Sequence, residues 1–277
     1  FFGHMKQFTA DTLKYLLELR AYGDIVRIKF GPFSFVLVNH PDYARQVLVT
    51  EAKSFDKSIV TKNALSDTAG KGLFTNDGEP WKRQRKLVQP AFHTQRIAAY
   101  ADTMVTYANA LGDTWQAGQG IDIEHEMTTL TMRIVTKTLF DVDLSDHTDD
   151  IGATVTEVFE ITNRRFNRLM AIPRWLPTRE NRTMKVAVAK LDSIVHRFID
   201  EWRKTGVDKG DLLSMLLLAM DDDDGSGMSD RQVRDEALTL FVAGHETTAR
   251  TLIWVWYLLS QHPEIEARLH AELESVL

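Results

Sequence analysis

The stretch Phe241-Val242-Ala243-Gly244-His245-Glu246-Thr247-Thr248 stands at the centre of a segment, Ser229 to Gln261, that decides the fold. Ser229 and Gln232 have the spacing of a capping box, which predicts that a helix begins there. No proline interrupts the segment before Pro263. Apolar residues leave little polar surface along its middle, a pattern typical of a buried helix. We therefore predict one long central helix over about 229–261 that forms the buried spine of the domain.

Four residues in the middle of this segment contradict a purely structural role. Gly244 is a poor helix former, and Glu246, Thr247 and Thr248 are costly to bury without partners. A glycine lets a ligand approach the backbone closely, and threonine hydroxyls can bond to carbonyls one turn earlier and bend the helix. Acid and alcohol side by side suit proton delivery to a bound ligand. From the residues alone, a kinked core helix whose threonines satisfy its own carbonyls fits equally well.

Composition restricts the class of protein. The chain has 277 residues, of which 44% are hydrophobic and 26% charged, as in ordinary globular domains, and we expect a single domain over residues 1–277. A net charge of -6 argues against a nucleic-acid binder. No apolar run approaches the ~20 residues that cross a bilayer, so we expect a cytoplasmic protein. The start at Phe1 leaves open a leader or anchor upstream.

The chain contains no cysteine, which excludes disulfides, thiolate metal ligands and cysteine nucleophiles within it. His245-Glu246 resembles the start of a zinc-binding helix, but Ala249 stands where the second histidine is needed. The acidic run from Asp221 to Asp224 lacks the spacing of a calcium loop and is interpreted as a solvated loop.

The remaining pattern predicts a mainly α-helical protein with a small β-hairpin. Alternating residues over Val26–Phe30 and Phe33–Val38, joined by Gly31-Pro32, predict the two strands. Residues 50–75 are interpreted as a long loop. Further helices are predicted at 11–22, at 41–49, from Asn76 or Asp77 onward, at 94–117, 124–140, 150–170, 179–204 and 211–220, and from Pro263 to the last residue, Leu277.

A second candidate site lies on the helix that follows Asp77. Trp81 and Arg85 are four residues apart and therefore share one helix face. An indole N–H beside a guanidinium suits a carboxylate or phosphate group, whereas simple stacking on the surface is the alternative. Three further residues, Lys82, Arg83 and Lys86, make the helix basic, which indicates either a solvated face or a docking site for an acidic partner.

These segments, in order, resemble the cytochrome P-450 (haem-thiolate monooxygenase) family over essentially the whole chain. The motifs that carry the resemblance are Tyr22-Gly23-Asp24, Gly72-Leu73-Phe74, Trp81-x-x-x-Arg85, Gln89-Pro90-Ala91-Phe92 and Ala243-Gly244-His245-Glu246-Thr247-Thr248. The last corresponds to the family's long distal helix, with a small residue, glycine, any residue, an acid and threonine. Their order and spacing are more specific than any one of them.

The resemblance implies roles for the central residues. Thr247 would be the alcohol that steadies bound oxygen, and Glu246 its acidic partner in proton supply. Ala243 and Gly244 would lie against the distal face of the haem. The haem propionates would be bound by Trp81 and Arg85.

It also implies a substrate and a partner. Phe74 would be a wall of a pocket for an apolar or amphipathic substrate, oxidised with O2. The lid would contribute Phe166, Leu169, Met170 and Ile172. Electrons would arrive from a ferredoxin or flavoprotein at the basic face that includes Lys82, Arg83 and Lys86. The lack of an anchor within the chain suggests a soluble, bacterial-type member.

Two family motifs, the Glu-x-x-Arg helix and the cysteine-containing haem loop, do not occur in the chain. In the family both follow the helix at which this sequence ends. We therefore interpret the chain as the N-terminal, distal portion of a P-450 domain, an incomplete fold that lacks the axial ligand. The alternative is a non-enzymatic helical protein that uses the same scaffold to bind apolar ligands or partners.

The missing cysteine gives a first prediction. The axial thiolate donates the electron density that favours O–O cleavage, so the 277-residue chain alone should be inactive. Mixed with haem, reduced and treated with CO, it should lack the absorption band of thiolate-ligated haem. A relative that contains the cysteine loop is the control, and the same band in both samples would contradict the ligand argument.

Overall fold

The computed structural model describes residues 3–143, 148–166, 172–221 and 225–276, which are mainly helical with one two-stranded sheet. These residues divide into two compact units, one of residues 3–58 and one that begins at Ile59. The mainly α fold with a small hairpin, predicted from the sequence, is confirmed. A single domain over the whole chain stays a prediction.

The first unit is built around the predicted hairpin. Strands β1 and β2 are antiparallel and pair from Ile25 opposite Val38 to Phe30 opposite Phe33. Gly31 adopts a φ of 57° in the connection, a left-handed conformation that suits glycine. The elements of this unit are α1 (Met5–Ala10), α2 (Thr12–Leu19), β1 (Ile25–Phe30), β2 (Phe33–Val38) and α3 (Pro41–Arg45), which continues as a π-helix over Gln46–Thr50.

The second unit is helical in its described part. Its longest helix, α11, begins after Ser229, whose hydroxyl accepts from the Gln232 amide at 3.3 Å, while the Gln232 side chain accepts from the Ser229 amide at 2.9 Å. The predicted capping box is therefore confirmed. The helices are α4 (Ile59–Leu65), α5 (Gly78–Val88), α6 (Thr94–Gly112), α7 (Ile123–Phe140), α8 (Thr148–Phe166), α9 (Arg179–Thr205), α10 (Leu212–Leu218), α11 (Asp230–Gln261) and α12 (Pro263–Val276).

The core of the second unit lies where α11 meets α7, α9 and α10. Leu216, Val233 and Ala237 are completely buried there. Several polar residues of α11 are buried among them, namely Arg234, Asp235, Glu236, Thr239 and His245. The apolar pattern of the sequence did not indicate these polar residues as core.

Two expectations about these elements were wrong. The predicted loop over 50–75 contains α4, whose seven residues are too few to show a helical period and bury only Ala64. The spine is not buried along its whole length, because Trp254, Tyr257 and Leu258 are at least half exposed. An apolar pattern shows that a surface suits burial, but it does not show which residues cover it.

No helix among the described residues combines the length and the apolar character that a membrane span requires.

The complete burial of Leu216 gives a prediction of stability. Replacing Leu216 with alanine should lower the free energy of unfolding by roughly 2–5 kcal/mol, since both the transfer energy and a cavity contribute. Leu218, on the same helix, is 48% exposed, and Leu218→Ala should change it by about 0.5 kcal/mol or less. Denaturant unfolding of both variants measures the difference. Equal effects would contradict the position of α10 in the core.

A second prediction concerns His245, whose ring stacks on Phe241 with 8° between the planes. Burial lowers the pKa of His245, while the Glu246 charge and a hydrogen bond with the Thr128 backbone act in the opposite direction. Below about pH 6.5 the unfolded chain therefore binds more protons at this residue than the folded one. The free energy of unfolding then decreases as the pH is lowered. The contribution of neutral His245 to stability is fully present above the pKa of the unfolded chain and is lost as the pH falls.

Measured between about pH 7 and pH 5, the free energy of unfolding should depend less on pH in His245→Leu than in the wild type. The largest possible difference in slope is about 1.4 kcal/mol per pH unit. Leu218→Ala, which removes no titratable group, provides the control, and its slope should match the wild type. An unchanged slope in His245→Leu would show that the histidine titrates normally.

Candidate functional site

The threonines at the centre of α11 bond to the helix backbone. The Thr247 hydroxyl donates to the Ala243 carbonyl at 2.6 Å, and the Thr251 hydroxyl donates to the Thr247 carbonyl at 2.8 Å. Thr247 is exposed. The bond to Ala243 fixes the orientation of the Thr247 hydroxyl, whose lone pairs can still accept hydrogen bonds. The predicted role of Thr247 in oxygen chemistry is untested by this arrangement and stays a prediction.

Glu246 is half-buried and is held by a neighbour that the sequence analysis missed. Its Oε1 accepts from Arg250 Nε at 2.9 Å, and Arg250 Nη1 donates to Glu124 Oε1 of α7 at 2.7 Å. The hydrogen bond to Glu246 raises the pKa of Arg250. Glu and Arg four residues apart on a helix are a recognised pair, and this spacing could have identified Arg250.

Gly244 permits a close helix contact. A Cβ atom at this position would lie 3.2 Å from Val135 Cγ2 of α7, which is tighter than ordinary van der Waals contact. The absence of a side chain therefore serves the packing of α7 on α11. It also leaves the backbone of α11 accessible beside this contact, since Gly244 is exposed.

A cavity of about 800 Å³ lies between α6, α7 and α11. Its wall is mostly apolar and includes Trp115, Ile134, Leu240 and Trp256, with the two indole rings 5.8 Å apart between centroids. Of the predicted site residues that the structure describes, Ala243 and Gly244 line it, together with Thr248. Its lining does not include Phe74, Trp81, Arg85, Glu246 or Thr247.

The centre of α11 therefore has two distinct faces, one toward the cavity and one that carries Thr247. Residues 244, 248, 252 and 256 follow one another at four-residue spacing and line the cavity. Thr247 lies on the neighbouring face with Thr251, and Ala243 belongs to both because it lines the cavity and accepts the Thr247 hydroxyl. Adjacent helical residues differ by about 100° around the helix axis, so Thr247 and Thr248 point in different directions. The sequence motif assigned Thr247 as the alcohol, but it did not show that Thr248 faces the cavity.

Trp81 and Arg85 contact each other on α5. The guanidinium carbon of Arg85 lies 5.2 Å from the centroid of the Trp81 ring, a cation–π distance. Stacking, one of the two interpretations from the sequence, is present. Arg85 is also exposed, so the outer edge of its guanidinium can reach a ligand, and propionate binding stays a prediction.

The basic residues on α5 are ion-paired within the protein. Asp221, which is almost completely buried, lies 3.2 Å from Arg83 Nε and 3.3 Å from Lys86 Nζ. Lys82 pairs with Glu79 at 2.5 Å. These pairs reduce the positive potential of the predicted docking face, and the face itself stays a prediction.

Phe74 follows a turn, residues 70–73, whose backbone amides donate hydrogen bonds to α11. The side chain of Phe74 is 42% exposed. Of the predicted lid residues, Ile172 is half-buried. Leu169, Met170 and the side chain of Phe166 lie outside the described residues.

Comparisons with known proteins agree on one family. The family model for cytochrome P-450 matches residues 1–277. Over 99% of its own length, the chain is 39% identical to cyclooctatin synthase of Streptomyces melanosporofaciens. Over the same share of its length, it is 36% identical to pentalenene oxygenase of Streptomyces avermitilis. It spans 60% and 61% of those two proteins, respectively.

The fold has a close counterpart among solved structures. The haem domain of cytochrome P450DA superposes with a TM-score of 0.84 at 24% identity, over 96% of this chain and 59% of that one. At this identity the likeness concerns the fold alone. The match of the family model, by contrast, extends over every residue of the sequence. The chain therefore belongs to the cytochrome P-450 family.

Proposed function

We propose that this chain is the distal part of a haem-dependent monooxygenase that inserts one oxygen atom from O2 into an apolar or amphipathic organic substrate. The observation that carries the proposal is the acid–alcohol pair Glu246-Thr247 on α11, within a family match over the whole chain. Two relatives are named as a monooxygenase and an oxygenase. The chain spans about 60% of their length, so the activity proposed is that of the whole protein.

The residues present suit the distal side of a haem site. Ala243 and Gly244 are small, and a flat macrocycle could approach the backbone beside them. Trp81 and Arg85 offer an indole N–H and a guanidinium, which suit propionate carboxylates. A haem bound here through a thiolate would supply the activation of O2, and this chain contains no cysteine that could provide the thiolate.

Thr247 and Glu246 would act together on protons. The Thr247 hydroxyl now donates to the Ala243 carbonyl at 2.6 Å, and rotation about its side chain would turn the same proton toward the distal site. Glu246 is held by Arg250, which keeps its carboxylate beside the helix and half-buried. A carboxylate that exchanges protons with solvent and lies next to a hydroxyl is suited to resupply that hydroxyl.

The substrate and the partner follow from different observations. Pentalenene oxygenase and cyclooctat-9-en-7-ol 5-monooxygenase are named after an olefin and an alkenol, which supports an apolar or amphipathic substrate with Phe74 as one wall of its pocket. Lys82, Arg83 and Lys86 support a ferredoxin or flavoprotein as electron donor, although their pairs with Glu79 and Asp221 weaken that face. A cytoplasmic location stays a prediction.

The role of Thr247 gives a prediction for the whole, haem-loaded protein. Thr247→Ala should lower the amount of product formed per electron pair consumed by roughly tenfold or more, because a hydrogen bond to a charged group is worth about 1.5–3 kcal/mol. Product and reductant consumption are measured in the same sample.

Thr251→Ala is the matched control, since Thr251 also bonds to a carbonyl one turn earlier. It should leave the coupling of product to electrons unchanged. Normal coupling in Thr247→Ala, or an equal loss in Thr251→Ala, would remove Thr247 from the proposed chemistry.

A further inference from the structure

The turn that precedes Phe74, residues 70–73, packs directly against the first part of α11. A Cβ atom on Gly70 would lie 2.2 Å from Asp235 Oδ1, and one on Gly72 would lie 2.2 Å from Thr239 Oγ1 and 2.8 Å from the Asp235 carbonyl oxygen. Gly70 also has a φ of 51°, a conformation that side chains disfavour. The backbone of the turn therefore approaches the helix more closely than any residue with a side chain would allow.

Two carboxylates of α11 bind this backbone. Asp235 Oδ2 accepts from the Lys71 amide at 2.9 Å, and Glu236 Oε2 accepts from the Leu73 amide at 3.0 Å. Asp235 is also paired with Arg234, and hydrogen bonds to such an ionised acceptor are roughly twice as strong as neutral ones. They join residues that are more than 160 positions apart in the sequence, so they fix tertiary structure.

The surroundings make these bonds costly to lose. Glu236 is completely buried, and Asp235 and Arg234 are nearly so. Arg234 Nη1 donates to Asp235 Oδ1 and to the Thr68 carbonyl, both at 2.8 Å, and Arg234 Nε donates to Asp192 of α9 at 2.6 Å. A buried charge without hydrogen bonds is strongly unfavourable, so the carboxylates and the turn amides stabilise each other.

The opposite side of the turn is fixed by α5. The Gln84 side chain donates to the Lys71 carbonyl at 2.6 Å, and Asn76 donates to the same carbonyl and to Gln84 Oε1, both at 2.8 Å. Gln84 is almost completely buried. The peptide units before and after Lys71 are therefore held between α5 and α11, directly before Phe74.

We propose that Asp235 and Glu236 are positioning residues that set the distance of the Phe74 wall from the acid–alcohol pair of α11. Glu246 lies about 15 Å further along the same helix than Glu236, at ~1.5 Å per residue. Because one continuous helix carries both groups, the separation between the turn and the Glu246-Thr247 pair is set by the length of helix between them. This inference rests on the proposed function for the role of Phe74, whereas the anchoring of the turn can be measured without it.

The first experiment measures anchoring by hydrogen–deuterium exchange. Glu236→Met keeps the approximate volume but removes the acceptor, and Glu236→Gln keeps an acceptor oxygen. Exchange of peptides covering 70–76 should be roughly tenfold faster or more in Glu236→Met than in the wild type, because the Leu73 amide loses its buried acceptor. Glu236→Gln should remain within a few-fold of the wild type, and peptides of α9 should be unchanged in both.

Equal exchange in the two variants would overturn the anchoring. If Glu236→Met does not fold, the wild type decides, because the Lys71 and Leu73 amides should exchange as slowly as the core amides of α11. Rates near those of an unstructured peptide would overturn the proposal.

The second experiment measures the position of Phe74 in the whole, haem-loaded protein. Imidazole and phenylimidazole would both bind the haem iron, and we expect only the phenyl group to reach Phe74. The affinity for phenylimidazole divided by the affinity for imidazole should fall roughly 2- to 10-fold in Phe74→Ala, the effect of one aromatic contact. It should fall to a similar extent in Glu236→Met and be restored in Glu236→Gln.

The outcomes separate the two proposals. If Glu236→Met loosens the turn but the affinity ratio falls only in Phe74→Ala, the carboxylates are structural and the positioning role is wrong. If the ratio is unchanged in Phe74→Ala as well, Phe74 is not a pocket wall, and the positioning role fails with it. Absence of oxygenation with both experiments as expected would refute the proposed reaction alone.

Discussion

The need to satisfy buried polar groups on a long helix determines the structure around α11. Its first turns carry Arg234, Asp235 and Glu236 into an almost completely buried region, where each charge requires partners. Those partners come from α9 and from the turn before Phe74. Apolar residues there could bury a similar area, but they would leave the bonded amides of the turn without acceptors and would not determine where the turn lies. Polar groups thus give this core its geometry, while apolar burial supplies its driving force.

The same helix changes character along its length. Near Glu246 most polar contacts lie within the helix, since Arg250 is one turn away and Thr247 bonds to a carbonyl of its own helix. Of these side chains, Arg250 also reaches another helix, at the exposed Glu124 of α7. Local contacts can exchange partners without disturbing the core, whereas the contacts of Glu236 cannot. Buried contacts at one end of the helix and exposed contacts at its centre would suit the proposed function, in which a pocket wall stays fixed while Glu246 and Thr247 exchange protons.

Sequence patterns predicted most of the helices, the hairpin and the capping box because each depends on residues close together in the chain. Short α4 was missed for lack of a full period, and the exposure of Trp254 was missed because periodicity does not identify what covers a surface. For the site, the motif predicted the acid and the alcohol. It could not predict that Thr248 faces the cavity, that Arg250 holds Glu246, or that Asp235 meets Lys71. Such pairings depend on tertiary contacts, which one sequence without an alignment does not reveal.

The close approach of the turn to α11 restricts how this protein could diversify. Neither Gly70 nor Gly72 has space for a methyl group, and the Lys71 and Leu73 backbones are bound on the inner side. Phe74 is the first position after them whose side chain is substantially exposed. Mutational libraries aimed at new selectivity should therefore find few viable residues at positions 70 and 72, whereas variation at this rim should concentrate on Phe74 and on Lys71, whose side chain is exposed.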